Sequence, residues 1–229
     1  MTDEQRLSRR DSLLKLGGLL AGATAVGGWK VAEEAGAGPA AVASGAVSCV
    51  LAPEQTAGPF YLDDHKVRRD IRAGKAGVPL TLRLTVLDVS NCRPIKGAAV
   101  DVWHCDARGA YSGTTQATDD ARFLRGIQRT DAKGLALFKT IYPGWYPGRT
   151  VHVHVSVFIG GNVVHTGQLY FPDTVTDAVY RRAPYSRRPG RSTRNAADFV
   201  YRNGGRRSTL RLNRSRTGYV GSIAMGIQR

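Results

Sequence analysis

The sequence predicts an all-β fold, a β-sandwich of two sheets with short helical turns. Three observations predict it. The run VPLTLRLTVLDV (78–89) alternates Leu80, Leu82, Leu84 and Val86 against Thr81, Arg83 and Thr85, the period-two pattern of a strand with one buried face. Six further short runs rich in apolar and β-branched residues follow, most of them separated by Gly, Pro, Asn or Asp turns. No long amphipathic helix is legible after residue 46; only 173–182 and 195–203 read as short helical turns. Many short strands with turn punctuation argue for a sandwich, and about 180 residues suffice for one domain with a full core.

Taken in order, residues 1–46 read as a signal peptide and linker. SRRDSLLKLGG (8–18) sets Arg9 and Arg10 ahead of a weakly apolar, Gly/Ala-rich stretch from Leu13 to Gly28, the pattern of a twin-arginine export signal. That stretch is too short and too glycine-rich for a membrane span, so no stable membrane insertion of the mature chain is expected. The small-residue sites AGA (35–37) and AVA (41–43) put the mature start between about 38 and 47. Residues 47–229 form the domain. After the first strand the turn SNCRPIKG leads into AAVDVWHC. Strands then read as GLALFKTI, RTVHVHVSVFI, NVVHTGQLYF, STLRLN and GYVGSIAMGI.

The strand RTVHVHVSVF carries the first chemical signal. Alternation projects His152 and His154 to one face and Val151, Val153, Val155 and Val157 to the other. Two imidazoles two residues apart on one face form half of a metal site. Two tyrosines in unusual settings are candidates to complete it: Tyr111, after the Trp-containing strand in DVWHCDARGAYSG, and Tyr146, inside YPGWYPGR. Phenolate oxygen is a hard anionic donor suited to a trivalent iron.

In four segments the chain resembles the intradiol ring-cleaving dioxygenases, the family of catechol and protocatechuate dioxygenases with non-haem ferric iron. PEQTAGPFY (53–61) is similar to the family's N-terminal signature, and VDVWHCDARGAYSG (100–113) to the segment with the first tyrosine ligand. RTDAKGLALFKTIYPGWYPGRTVHVHV (129–155) resembles the core signature, and GQLYF (167–171) the segment with a pocket glutamine. The resemblance runs over roughly residues 47 to 227. It implies Fe(3+) held by Tyr111, Tyr146, His152 and His154, with Tyr146 displaced by substrate. It also implies Arg149 and Gln168 facing a small aromatic diol that is cleaved with O2 to a muconate-type dicarboxylate, and the same sandwich fold. The iron site is expected between the loops of the two sheets. The first 46 residues leave no room for the N-terminal helical region of the catechol branch, so the short, secreted, single-domain members are the expected likeness.

Two rival readings follow from the same residues. His152, His154 and His165 resemble a three-histidine catalytic zinc site, which would make the chain a hydrolase but leaves the tyrosine segments unexplained. A secreted β-sandwich binding module would keep the strands and lose the ligands. His65 and His104 read as structural or exposed, and His165 as part of the hairpin IGGNVVHTG.

Net charge is +15. Within 1–46, Arg6, Arg9, Arg10, Lys15 and Lys30 balance Asp3, Glu4, Asp11, Glu33 and Glu34, so the excess belongs to the domain, much of it in 180–216. No nucleic-acid-binding motif accompanies these arginines, and a solvated basic surface is expected. Of the three cysteines, Cys92 and Cys105 should lie roughly 25 Å apart along an unbroken strand, too far to bridge. A disulfide from Cys49 to one of them is expected in an exported protein.

Overall fold

The computed structural model describes residues 49–63, 66–114 and 122–229; the signal and linker expected over 1–46, and His65, lie outside them. Among the described residues nine strands form two sheets, as the alternating pattern predicts: β1 (Pro79–Asp88), β2 (Arg93–Pro94), β3 (Ala99–Trp103), β4 (Arg125–Arg129), β5 (Leu135–Ile141), β6 (His152–Ile159), β7 (Asn162–Tyr170), β8 (Arg211–Arg214) and β9 (Tyr219–Ile227). One sheet runs β2-β1-β9-β8 with β5 also on β1; the other runs β4-β3-β6-β7. Helix α1 (Asp173–Tyr180) and the single turn α2 (Phe199–Arg202) fall where helical turns are expected. Among the described residues, no helix is long and apolar enough to cross a membrane.

The core lies between the sheets. Leu80, Leu82, Leu84 and Val86 face Val100, Val102, Val153, Val155 and Val157, all fully buried. Each such side chain contributes about 2 kcal/mol of transfer free energy. The valines of β6 thus spend their whole face on the core, which commits His152 and His154 to the outer face of the second sheet.

Two features had no sequence signal. Strand β9 runs parallel to β1 in register from Leu80↔Tyr219 to Asp88↔Ile227, a pairing of the two ends of the domain. Strand β4, RGIQR, lacks apolar alternation because its buried side chain is an arginine. Arg125 is 2% exposed and bonds to Ser112 Oγ at 2.9 Å and to the Ser112 carbonyl at 2.8 Å. Cys49 and Cys92 form the disulfide, with Cα atoms 5.6 Å apart, and Cys105 is free and buried.

Candidate metal centre

Register places one transverse row across the second sheet. Arg125 pairs with Trp103, Trp103 with His154, and His154 with Gln168. Cross-strand partners share a face, so all four side chains stand on the outer face of the sheet. His152, opposite Tyr170, occupies the next row on that face. The expected location between the two sheets' loops is therefore corrected: the site sits on the outside of one sheet, roofed by loops and by the N-terminal segment. The inner face had no room, since the valines fill it.

Two loops bring the tyrosines onto this face. After β3 the chain turns around Asp106, whose carboxylate accepts from the backbone N–H of Arg108 (2.8 Å) and Ala110 (3.1 Å). The Gly144 N–H donates to the Asp106 carbonyl at 3.1 Å, which stitches the Tyr111 loop to the Tyr146 loop. Only glycine fits at 144, because a Cβ there would stand 2.4 Å from that same carbonyl. Ser112, held by Arg125, fixes the backbone beside Tyr111. From above, Phe60 stacks on Tyr111 with ring centroids 4.4 Å apart, and Tyr61 meets Trp103 edge-on.

The resulting donors converge. Tyr146 Oη lies 3.0 Å from His152 Nε2, and His152 Nε2 lies 3.1 Å from His154 Nε2. The Tyr111 and Tyr146 rings are 5.8 Å apart. Among the described residues the Tyr111 hydroxyl is buried without a well-aligned hydrogen-bond partner, although it is close enough to Tyr146 for each phenol to shift the other's acidity. His152 Nδ1 lies 2.6 Å from the Thr150 carbonyl, which can only accept, so the ring proton is on Nδ1 and Nε2 presents a lone pair.

Burial governs the acidities. It pushes His152 down to about 3, with the Arg149 charge assisting, and His154 well below its ordinary value, so both imidazoles are neutral. Burial also pushes Tyr146 up to about 12 and Tyr111 well above its usual value. Both phenols hold their protons until a strong cation replaces them.

This donor set fits a metal ion. Tyr146 Oη, His152 Nε2 and His154 Nε2 stand 3.0 and 3.1 Å apart in succession, close enough for one ion to be shared among them. The orphaned Tyr111 hydroxyl is a buried polar group that a metal would satisfy. Two phenolic and two imidazole donors suit ferric iron better than a soft or divalent ion.

Arg149 and Gln168 stand next to the donors and bond to each other through Arg149 Nη2 and Gln168 Oε1. Gln168 Nε2 donates to the Thr56 carbonyl at 2.9 Å, and Tyr170 Oη donates to Gln168 Oε1 at 3.1 Å. Arg149 Nε donates to Asp198 Oδ2 at 2.9 Å. Asp198 escaped the sequence reading; its one signal was an N-cap aspartate ahead of FVYR. Trp103 and Phe60 escaped it too, since a stacking role leaves no spacing pattern.

The three-histidine zinc reading is overturned. His165 is offset by an odd number of residues from Gln168 on β7, so it points to the opposite face from His152 and His154. There it pairs with Glu54 Oε1 at 2.6 Å, while Glu54 Oε2 accepts from the Thr166 N–H. It fastens the N-terminal segment to the sheet. His104 is structural, as read, and fully buried, with its ring between the Cys105 carbonyl and the Thr140 hydroxyl.

Comparison with known proteins bears directly on this arrangement. Residues 56–183 match a family model described as dioxygenase, a span that contains both tyrosines, both histidines, Arg149 and Gln168. The chain belongs to the intradiol ring-cleavage dioxygenase family. Among solved structures, an intradiol ring-cleavage dioxygenase from Tetranychus urticae is similar at 31% identity and a TM-score of 0.74, over 79% of this chain and 95% of that one. The dioxygenase domain of a carbohydrate-binding fusion protein from Streptomyces sp. SirexAA-E is 30% identical with a TM-score of 0.61, over 78% of this chain and 99% of that one. Among curated relatives, the protocatechuate 3,4-dioxygenase beta chain of Burkholderia cepacia is 35% identical over 127 residues, 48% of this chain and 52% of its own length. The chain spans about half the length, or less, of the curated relatives it matches.

Proposed function

We propose that this intradiol dioxygenase family member is a ferric enzyme that cleaves catechol-type diols between their hydroxylated carbons with O2. Both oxygen atoms enter a muconate-type dicarboxylate. Tyr111, Tyr146, His152 and His154 hold the iron, and Arg149 and Gln168 face the diol. The observation that carries this reading is the succession Tyr146 Oη, His152 Nε2 and His154 Nε2, with gaps of 3.0 and 3.1 Å, beside a Tyr111 hydroxyl left unsatisfied among the described residues.

Bound Fe(3+) supplies Lewis acidity toward a chelated diol and a template that keeps ring and oxygen together. The protein's own groups do the rest. Tyr146 is the least buried of the four donors, and its raised proton affinity would make its phenolate a strong base, suited to taking a proton from the diol. Arg149 stabilises negative charge developing on the ring, in a site where Asp198 and Gln168 fix its guanidinium. The Gln168 amide spends its oxygen on Arg149 and Tyr170 and one N–H on Thr56, which leaves its second N–H for the reacting oxygen atoms. Phe60, Tyr61 and Trp103 keep the face dry.

The deciding experiment is a visible spectrum of purified protein before and after catechol is added without oxygen. A broad red-brown tyrosinate-to-iron band that shifts with catechol is expected, followed by a dicarboxylate product when oxygen enters. A colourless protein that stays so after ferric reconstitution would refute the reading. His154→Ala is expected to abolish iron retention, and Arg149→Ala to keep iron and slow turnover.

The same reading includes export. The twin-arginine segment fits a route that carries folded, metal-loaded proteins, and the Cys49–Cys92 disulfide fits an oxidising destination. Replacing Arg9 and Arg10 by Lys is expected to hold the protein inside the cell on fractionation; unchanged export would refute this part.

A further inference from the structure

Asp198 is fully buried, yet its two oxygens serve different elements. Oδ1 caps α2, accepting from the Val200 N–H at 2.8 Å and the Tyr201 N–H at 2.9 Å. Oδ2 accepts from Arg149 Nε at 2.9 Å and from the Thr150 N–H at 2.7 Å. A cap alone needs one oxygen and no charge, so Ser or Asn would serve as well. A buried carboxylate is costly to desolvate and persists only where charge and hydrogen bonds offset that cost. Its second oxygen and its charge are therefore accounted for by residues 149 and 150 rather than by the helix.

Those two residues lead to the site by separate paths. Arg149 is held as a fork, Nε on Asp198 and Nη2 on Gln168, so the plane of its guanidinium is set before any ligand arrives. Thr150 is pinned three times: its N–H by Asp198, its hydroxyl on Asn195 Oδ1 at 2.6 Å, and its carbonyl on His152 Nδ1 at 2.6 Å. The carbonyl that fixes the His152 tautomer thus belongs to a residue whose position Asp198 determines. Partners behind a metal-binding histidine normally tune its orientation and its hold on the metal.

We infer that Asp198 is a positioning residue for both Arg149 and His152, acting from 198 on the loop that presents them. The inference rests on the ferric dioxygenase reading above. It adds a residue outside residues 56–183, the stretch that the family model matches.

The test is Asp198→Asn in the iron-loaded protein. Asn still caps α2, but it sets an amide group against two donors, so the 149–150 loop is released. The expected result is a kcat on catechol lower by about 10- to 100-fold, and iron lost to a chelator about 10-fold faster. Added to Arg149→Gln, the substitution should lower kcat by less than it does alone, because the Arg149 path is already lost and only the His152 path remains. Wild-type kcat and iron release in Asp198→Asn would overturn the inference, and so would losses that multiply in the double variant. A second variant avoids any folding defect at the buried site. Arg149→Lys keeps the charge but cannot span Asp198 and Gln168 as a fork, so a comparable loss of kcat is expected, and full activity would overturn the inference. Wild-type protein that takes up no ferric iron and turns over no catechol would count against the dioxygenase reading itself. Wild-type turnover beside an unaffected Asp198→Asn would count against Asp198 alone.

Discussion

Trp103 lies flat on His154, with ring planes 4° apart and centroids 4.9 Å apart, the two residues facing each other across β3 and β6. Among the described residues His154 Nδ1 is buried without a hydrogen-bond partner, so stacking on Trp103 and the 3.1 Å contact of its Nε2 with His152 Nε2 orient this imidazole. His152, by contrast, is held by a hydrogen bond from Nδ1 to the Thr150 carbonyl. Two histidines on one strand face are thus fixed by different physics.

Removing the aromatic face should therefore affect His154 first. Trp103→Leu gives up a stacked pair contributing about 1 kcal/mol beyond its buried area. Iron loss to a chelator is expected to speed up about 10-fold, with Trp103→Phe intermediate. Equal release rates for all three proteins would show that His154 needs no such support.

Gly58 approaches His154 from the roofing segment. Its φ is +68°, and an added Cβ would stand 3.3 Å from His154 Cε1. Gly58→Ala combines a left-handed backbone penalty of about 1 kcal/mol with pressure on the ring. A several-fold fall in kcat and a shift in the visible band are expected from steady-state rates and absorption spectra of the purified variant. An unchanged band and rate would mean that the segment yields freely.

The sandwich was legible because the Leu80–Val86 and Val151–Val157 alternations are strong and one-sided. The same alternation separated His152 and His154 from the valines, and the tyrosines stood out by their loops. The zinc alternative failed on parity: His165 and Gln168 differ by three positions on one strand, so they cannot share a face. The register that sets Gln168 opposite His154 decides which parity of β7 faces the site. Other features were hidden for physical reasons. Which face of the sheet carries the site depends on what fills the other one. The pairing of β1 with β9 joins distant segments without any local signal. Asp198 reaches Arg149 over a separation of 49 residues, and a single N-cap aspartate says nothing about its second oxygen.

The disulfide should matter for stability more than for the metal. Cys49 and Cys92 are 43 residues apart, and loop-closure entropy gives such a link about 4 kcal/mol as an upper value. The roofing segment keeps other ties after its loss, through Glu54 to His165, Gln55 to the Val200 carbonyl, and Thr56 to Gln168. The double variant Cys49→Ser, Cys92→Ser is therefore expected to melt about 10 °C lower while retaining iron. A melting temperature within a degree or so of wild type would show that these ties suffice.

His104 gives the fold an acid-side weakness separate from the metal. Burial pushes its pKa down to about 4 from an ordinary 6.5, opposed only in part by the Cys105 carbonyl and Asp106. Nδ1–H donates to that carbonyl at 2.8 Å, and Nε2 accepts from the Thr140 hydroxyl at 2.7 Å, an arrangement for the neutral ring. Between these two pKa values the unfolded chain binds a proton that the folded chain refuses, so stability falls as pH drops. The contribution is complete above about 6.5, declines toward about 4, and levels off below, amounting to about 3 kcal/mol. His104→Gln preserves one donor and one acceptor and removes the titration. Denaturant unfolding at a series of pH values should show wild type losing stability faster than the variant from 6.5 to 4, with the slopes common to both proteins cancelling in the difference. Parallel curves would mean that His104 keeps nearly the same pKa folded and unfolded.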